Sequence, residues 1–266
     1  MLTSYHVHSE FSDGRNTLVE LVEGGLRAGL DEMGFSDHYV LLGGDRTVRW
    51  SMPLDALPRY FEGMRAASEA AEGKMIVRCG LEADFEPEAA SELRDALRGF
   101  AFDYVIGSIH FIGGFAVDEL KDNWDHLTER ERNDMIREYW ERIPLLARSG
   151  MFDIMGHLDL YKKFGYGPTV DMSAEIANAL DAIAHAEMTV ELNTSGWDKE
   201  VEEAYPSTSI LRECRSRGIP IMLSADAHNA QDLTRNYDRA AALLRGIGWD
   251  STVTYAQRTR RIVPLI

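Results

Sequence analysis

Two histidines stand two residues apart near the start of the chain, His6 and His8, in the run Ser4-Tyr5-His6-Val7-His8-Ser9-Glu10-Phe11-Ser12-Asp13-Gly14. Side chains of an extended strand alternate between faces, so both imidazoles point the same way and can grip one metal ion. Imidazole suits zinc, iron, copper and nickel, and carboxylate widens the choice to manganese. One such pair is common without any metal. The pair gains weight from similar residues spread along the rest of the chain. Asp37-His38, Glu82 with Asp84, His110, His157 with Asp159, Glu191 with Asn193, and Asp226 with His228 each close a short apolar run. Six of the eight histidines belong to this set; the other two, His126 and His185, fall in a loop and a helix and are read as solvated or structural. A single histidine after a strand is ordinary, but chance does not account for all these strand ends together. So many imidazoles and carboxylates exceed what one four-coordinate ion needs, and two or three divalent ions sharing a carboxylate fit better.

These residues must be brought together by the elements between them. Thr3 to His8 reads as a strand, and Thr17-x-x-Glu20 as a capping box opening a helix with Leu18, Leu21, Val22, Leu26 and Leu30 as its stripe. Glu32 to Ser36 is a short strand, and residues 39–53 a loop with Gly43, Gly44 and Pro53 as breakers, carrying Arg46, Arg49 and Trp50. A helix with Leu54, Leu57, Phe61 and Met64 on one face follows, then a strand from Met75 to Phe85, then Pro87 in the first turn of the next helix. Asp103 to His110 is a strand; Gly113-Gly114 opens a long connection to a second capping box, Thr128-x-x-Glu131, whose helix should bend at Pro144. Phe152 to His157 is a strand, a helix starts near Ser173, Met188 to Asn193 is a strand, and a helix from Ser209 to Arg217 stops at Gly218. Ile219 to Ser224 is the seventh strand; a helix around Arg239 to Leu244 and a tail end the chain. Strand and helix alternate seven times, which implies a parallel sheet with helices outside. The expected fold is α/β, a single (β/α)₇ distorted TIM-like barrel over residues 1–266. Its candidate ligands would gather at the C-terminal ends of the strands, where parallel barrels build their sites.

The composition narrows the function classes. A hydrophobic share of 45% and a charged share of 27% are those of an ordinary globular protein. The net charge of −16 disfavours nucleic acid and anionic membranes as partners. It would also repel a phosphate ester unless bound cations reverse the local field. Two cysteines, Cys79 and Cys214, imply no disulfide framework and a reducing compartment. Neither a leader-like segment nor a membrane-length apolar run is visible, so a cytoplasmic location is expected.

The motifs His6-Val7-His8, Ser36-Asp37-His38, Gly80-Leu81-Glu82, Gly107-Ser108-Ile109-His110, Gly156-His157-Leu158-Asp159 and Ala225-Asp226-Ala227-His228 resemble those of the PHP (polymerase and histidinol phosphatase) phosphoesterases, in the same order over nearly the whole chain. Phe102 to Phe111, Glu191-Leu192-Asn193-Thr194-Ser195-Gly196 and Tyr205-Pro206-Ser207 are similar to the histidinol-phosphatase branch. The resemblance implies a trinuclear site of zinc, manganese or iron. One ion would be held by His6, His8, Glu82 and Asp226, a second by Glu82, His110 and His157, and a third by Asp13, His38 and His228. The Asp13 position is histidine in some relatives, which implies a shift in metal preference.

The activity so implied is hydrolysis of a small phosphate monoester by a metal-activated hydroxide, with L-histidinol phosphate as the first substrate and a nucleotide or other small phosphate ester as the alternative. Asp159 and His228 are the two candidates for protonating the leaving group. Glu191 and Asn193 either hold ligands from behind or touch substrate. One departure bears on the substrate. Histidinol phosphatases often carry an arginine after the Asn193-Thr194-Ser195-Gly196 turn, whereas this chain continues Trp197-Asp198-Lys199, and an aspartate there would repel phosphate. The candidate substitutes are Lys162, Lys163, Arg49 and Lys199, with Trp50 a further candidate contact. A non-phosphate hydrolase on an amidohydrolase-like metal barrel and a non-catalytic metal-binding or polymerase-associated module are the competing classes.

Overall fold

Residues 1–43 and 46–266 are described by the computed structural model of the chain; Gly44, read above as a loop breaker, lies outside them. The first half runs β1 (Thr3–Ser4), α1 (Leu18–Ala28), β2 (Glu32–Phe35), β3 (His38–Tyr39), α2 (Leu57–Ala70), β4 (Ile76–Asp84), α3 (Ala90–Leu97), β5 (Tyr104–Ser108), β6 (Phe111–Ile112), β7 (Phe115–Ala116) and α4 (Lys121–Asp125). The second half runs α5 (Glu129–Arg148), β8 (Ile154–Met155), α6 (Ser173–His185), β9 (Thr189–Asn193), α7 (Thr208–Ser216), β10 (Ile221–Ser224), α8 (Tyr237–Ile247), β11 (Ser251–Ala256) and β12 (Thr259–Pro264).

Seven strands pair in parallel in the order β1-β2-β4-β5-β8-β9-β10, and β3 prolongs the β2 row beside β4. The ring meets itself above β1. Val7 bridges Ala227 in parallel, with His8 N–H donating to Ala227 O at 2.9 Å and Ala227 N–H to His6 O at 2.9 Å. The result is the nearly closed α/β barrel that the alternation predicts. The bridge pins His6 and His8 against the segment carrying Asp226 and His228, which joins the first and last strands of the barrel at one place.

Both expected capping boxes form: Thr17 with Glu20 at α1, and Thr128 with Glu131 at α5. Each satisfies two backbone donors that the first helical turn would otherwise leave unpaired. Replacing Thr128 by alanine should cost about 1 kcal/mol. In thermal unfolding that is a fall in Tm of about 2–4 °C for a chain of this size, with turnover unchanged.

Several expectations need correcting. The extended hydrogen-bonded part of the first strand is only Thr3–Ser4; residues 5–8 pair at Val7 alone, through its bridge to Ala227 and the Ser36 N–H donating to Val7 O at 2.8 Å. Leu54 precedes α2 and is exposed, so the apolar face of that helix begins at Leu57. The connection after His110 is a small hairpin, β6–β7, turning at Gly113, followed by α4. The expected tail is a second hairpin, β11–β12, turning at Gln257-Arg258, both with φ in the left-handed region at 52° and 62°. Neither residue advertises such a turn, whose usual formers are Asn and Gly.

That terminal hairpin closes the bottom of the barrel. Val253 and Tyr255 join Tyr5, Tyr104, Ile106, Ile154 and Met222 in one buried cluster. The Tyr5 hydroxyl donates to Glu32 at 2.5 Å and accepts from the Tyr255 N–H at 2.9 Å. The Tyr104 ring fills the space beside Gly80; a Cβ there would lie 2.2 Å from it, so that position accepts only glycine. With the bottom plugged, the open end of the barrel is the end where the polar strand tips lie.

Candidate metal centre

The strand tips converge. His6, His8, His38, Glu82, His110 and His157 are all buried, Asp226 nearly so, and Asp13 and His228 stand at the solvent edge. Glu82 is the hub. Its Oε2 lies 3.1 Å from His6 Nε2, 3.6 Å from His8 Nε2 and 2.7 Å from His38 Nδ1. Its Oε1 lies 2.8 Å from His157 Nε2 and 3.7 Å from His110 Nε2. Asp226 Oδ1 faces the same two leading imidazoles, 3.7 Å from His6 and 3.2 Å from His8. Asp13 Oδ1 lies 3.2 Å from His228 Nε2 and 3.7 Å from His38 Nε2. The nine residues named from the sequence fall into four overlapping clusters: His6, His8 and Asp226; His6, Glu82 and His157; His38, Glu82 and His110; and His8, Asp13, His38 and His228.

Further polar residues aim these side chains. Glu191 takes His6 Nδ1 at 2.6 Å, accepts from the His157 backbone N–H at 2.7 Å and is held by the Ser224 hydroxyl. Asp84 takes His110 Nδ1 at 2.8 Å and its backbone N–H at 3.0 Å. With those nitrogens engaged, His6 and His110 present Nε2 to Glu82. Asn193 donates to Asp226 Oδ2 at 3.2 Å, which leaves Oδ1 toward the histidines. Asp226 itself adopts φ 52°, unusual for a residue with a Cβ and costing on the order of 1 kcal/mol or more, held by the strand pairing on either side. Asp37 ties the loop after His8 by accepting from Ser9 and Ser12, at 2.7 to 3.2 Å. Gly14 lies so close to His8 O that a Cβ would sit 2.1 Å from it, and this tight return brings Asp13 beside His228.

Charge and burial are in tension here. Burial opposes protonating His6 and ionising Glu82, but the neighbouring charges win. Glu191 and Glu82 hold the His6 imidazole well above its usual range, and His6 and His38 hold the Glu82 carboxyl well below its own. Burial likewise opposes protonated His110, yet Asp84 and Glu82 push it up to about 10; for His228, Asp13 and Asp226 overcome burial and push it up to about 9. His8, buried and ringed by His38 and His228, falls to about 3.

The fit to metal ions can be tested on the polar atoms left without partners. His6 Nε2, His8 Nε2, His38 Nδ1 and Glu82 Oε2 are buried and make no hydrogen bond. Such orphans each cost on the order of 1–3 kcal/mol. Cations seated among them would satisfy all four, and imidazole with carboxylate is a donor set for zinc, manganese or iron.

Above the cluster opens a cavity of about 660 Å³, lined among others by Asp13, Arg15, His38, Trp50, His110, Asp118, Glu119, His157, Lys163, Lys199, Tyr205, Asp226, His228 and Arg235. Of the expected substrate contacts, Trp50, Lys163 and Lys199 are on its wall. Trp50 stands edge-on to His38 and His110, with ring centres 4.7 Å and 5.3 Å away. Arg49, Lys162 and Asn193 are not on the wall. Lys162 is buried between Asp159 at 2.9 Å, Glu203 at 2.7 Å and Ala204 O at 2.8 Å, a structural use of its charge. Arg49 is an exposed loop side chain and Asn193 lies beneath Asp226. Asp159 does not reach the cavity either: it binds Lys162 and accepts from the Ser207 N–H at 2.9 Å. Asp198, expected to repel phosphate, lies 3.2 Å from Arg235 Nε and is not on the cavity wall. Arg15, Asp118, Glu119 and Arg235 were not singled out in the sequence. Arg15 alone had a signal, lying two residues beyond Asp13; the others come from loops whose paths no pattern specifies.

Comparison with known proteins agrees with this geometry. The PHP domain model matches residues 4–195. A probable histidinol-phosphatase of Deinococcus radiodurans is 36% identical over 97% of this chain and 97% of its own length. A histidinol-phosphatase of Lactococcus lactis is 26% identical, over 95% of this chain and 93% of its own. Among solved structures, a histidinol phosphate phosphatase of Lactococcus lactis, crystallised with zinc, L-histidinol and phosphate, superposes with a TM-score of 0.81 at 24% identity, covering 98% of each chain, a likeness of fold. With the ordered histidine and carboxylate motifs now found on the tips of one barrel, this chain belongs to the PHP-domain family, on its histidinol-phosphatase branch.

Proposed function

We propose that the chain is a phosphoric monoester hydrolase that converts L-histidinol phosphate to L-histidinol and phosphate, with two or three divalent ions of zinc, manganese or iron as cofactors. The observation that carries this reading is the Glu82 hub: one buried carboxylate within 3.7 Å of five imidazoles, three of which (His38, His110 and His157) line a cavity open to solvent. The residues that would hold the ions are His6, His8, Glu82 and Asp226; Glu82, His110 and His157; and Asp13, His38 and His228. Ions bound there would activate water and neutralise charge on the phosphoryl and leaving oxygens.

The protein's own part is positioning. Glu191, Asp84 and Asn193 fix the ligand atoms before substrate arrives, so little reorganisation is needed when charge develops. Trp50 walls one side and keeps water from the His38 and His110 edges. Of the two candidates for the leaving-group proton, Asp159 is set aside because it does not line the cavity; His228 does line it, but as a ligand of the third ion it would hold that ion and not supply the proton. The whole chain would act as one unit in the cytoplasm. Among the described residues no helix is long and apolar enough to cross a membrane.

L-Histidinol phosphate carries an ammonium group as well as a phosphate. Glu119 is a cavity carboxylate with no cation within 4.0 Å among the described residues, whereas Asp118 is neutralised by Lys163 at 3.0 Å. Glu119→Gln should therefore raise KM for histidinol phosphate about tenfold, the worth of one charged hydrogen bond, and leave p-nitrophenyl phosphate unaffected. Equal effects on both substrates would remove Glu119 from recognition.

The function itself is tested by steady-state turnover of metal-loaded protein on histidinol phosphate, AMP and p-nitrophenyl phosphate. The expected order of kcat/KM puts histidinol phosphate first by at least about two decades, because a site complementary to ammonium and imidazole discriminates through groups the others lack. AMP in first place would transfer the assignment to nucleotides.

A further inference from the structure

We infer that Arg15 is the phosphate-binding arginine of this site, taking over from the arginine that the turn after Gly196 does not supply. The inference rests on the phosphatase reading above and names the residue that would hold its substrate's phosphate.

The cavity wall carries four cationic side chains. Two are already committed. Lys163 Nζ lies 3.0 Å from Asp118 Oδ2 and donates to Asp118 O at 2.6 Å. Arg235 spreads its fork over Asp198 at 3.2 Å, Asp232 at 3.6 Å and Ala225 O at 2.6 Å. Arg15 and Lys199 have no carboxylate within 4.0 Å among the described residues, and both are exposed. A free cation beside a cluster of carboxylates, in a chain of net charge −16, is uncommon and available to an anion.

The two differ in how their roots are held. The Arg15 backbone N–H donates to His228 O at 2.8 Å. Its neighbour Asn16 is fixed on both sides, accepting from Glu10 N–H at 2.9 Å through its carbonyl and from Ala230 N–H at 3.0 Å through its side chain. Gly14 before it is locked against His8 O. Arg15 thus springs from a loop bound to both arms of the metal centre, two residues from Asp13 and directly against the His228 backbone. Lys199 follows a short 3₁₀ turn and presents a single-point ammonium. A guanidinium can hold two phosphoryl oxygens at once, and a rigid root reduces the ordering cost of doing so. The turn that lost its arginine has found another use: Trp197 lies under Arg239 at 4.3 Å and Asp198 pairs with Arg235, so it buttresses the start of α8.

The test is phosphate affinity on the metal-loaded enzyme, by product inhibition of p-nitrophenyl phosphate turnover and directly by calorimetry with inorganic phosphate. Arg15→Ala should weaken phosphate roughly 10- to 100-fold, with KM rising more than kcat falls and metal content unchanged by elemental analysis. Arg15→Lys, which keeps the charge and folds if the alanine variant does not, should recover only part of the affinity. Unchanged phosphate affinity in both variants overturns the proposal. So does an effect seen in Lys199→Ala instead, or loss of metal from Arg15→Ala, which would make the residue a support for the Asp13–His228 pair. A wild-type enzyme that rejects histidinol phosphate but cleaves another ester refutes the substrate assignment alone, because the phosphate titrations still decide Arg15. Failure of the wild type to bind phosphate at all refutes both.

Discussion

Glu82→Gln should reduce turnover on the order of 10³-fold or more while leaving the barrel folded. The carboxylate lies within reach of five imidazoles and belongs to two of the four candidate ion clusters, so one substitution should weaken two proposed ion sites together. Losing a single well-placed ligand or supporting partner costs roughly 10- to 100-fold in metal affinity or activity, and two coupled sites multiply that figure. Glutamine preserves shape and one oxygen but removes the negative charge that divalent ions require. Elemental analysis should show at least one ion fewer per chain. His110→Ala should likewise abolish turnover with the fold intact, since His110 belongs to a single candidate cluster, with Glu82 and His38. If Glu82→Gln kept full metal content and near-normal turnover, the shared-carboxylate reading would be wrong.

The second large effect is expected on metal removal. Exhaustive chelation should eliminate activity and lower Tm, and readdition of zinc, manganese or iron should restore both. Ions that bind only the folded chain stabilise it by about 2.7 kcal/mol at a hundredfold excess over Kd. The electrostatics add a signature. In the metal-free protein the neighbouring carboxylates hold His6 well above its usual range, and push His110 and His228 up to about 10 and about 9. Those groups carry protons at neutral pH, whereas a bound ion requires neutral imidazole. Binding must therefore release protons, and apparent affinity must climb as pH rises toward 9–10, then level off. Calorimetry of metal rebinding in buffers of different ionisation enthalpy measures that release. Heats independent of buffer would show that the imidazoles start out neutral.

Much of the site was legible because ligand chemistry constrains residue type. An imidazole or carboxylate ending an apolar strand has few structural substitutes. All nine residues expected to hold ions do meet at the barrel mouth, from Asp13 at its edge to Glu82 at its centre. The elements that position them were legible for a related reason. Capping boxes at Thr17 and Thr128 and the alternation of strand and helix are local patterns, and local patterns suffice for a barrel whose neighbours in sequence are neighbours in space. The carboxylate pairings were less accessible: Asp84 and Glu191 could be named as rim residues, but not that each grips the far nitrogen of a particular histidine.

The sequence by itself determined the fold class, the strand order and the inventory of metal-competent side chains, since each follows from periodicity or from what a side chain can coordinate. Only the tertiary structure decided which charges remain available. Lys162 and Asp159 cancel one another beneath the surface, Arg235 absorbs Asp198, and Arg15 is left facing the cavity. It also decided that the last strands close the floor of the barrel rather than trail from it. Both outcomes depend on side chains meeting across long stretches of chain, and pairing at that range is set by packing, which no local spacing encodes.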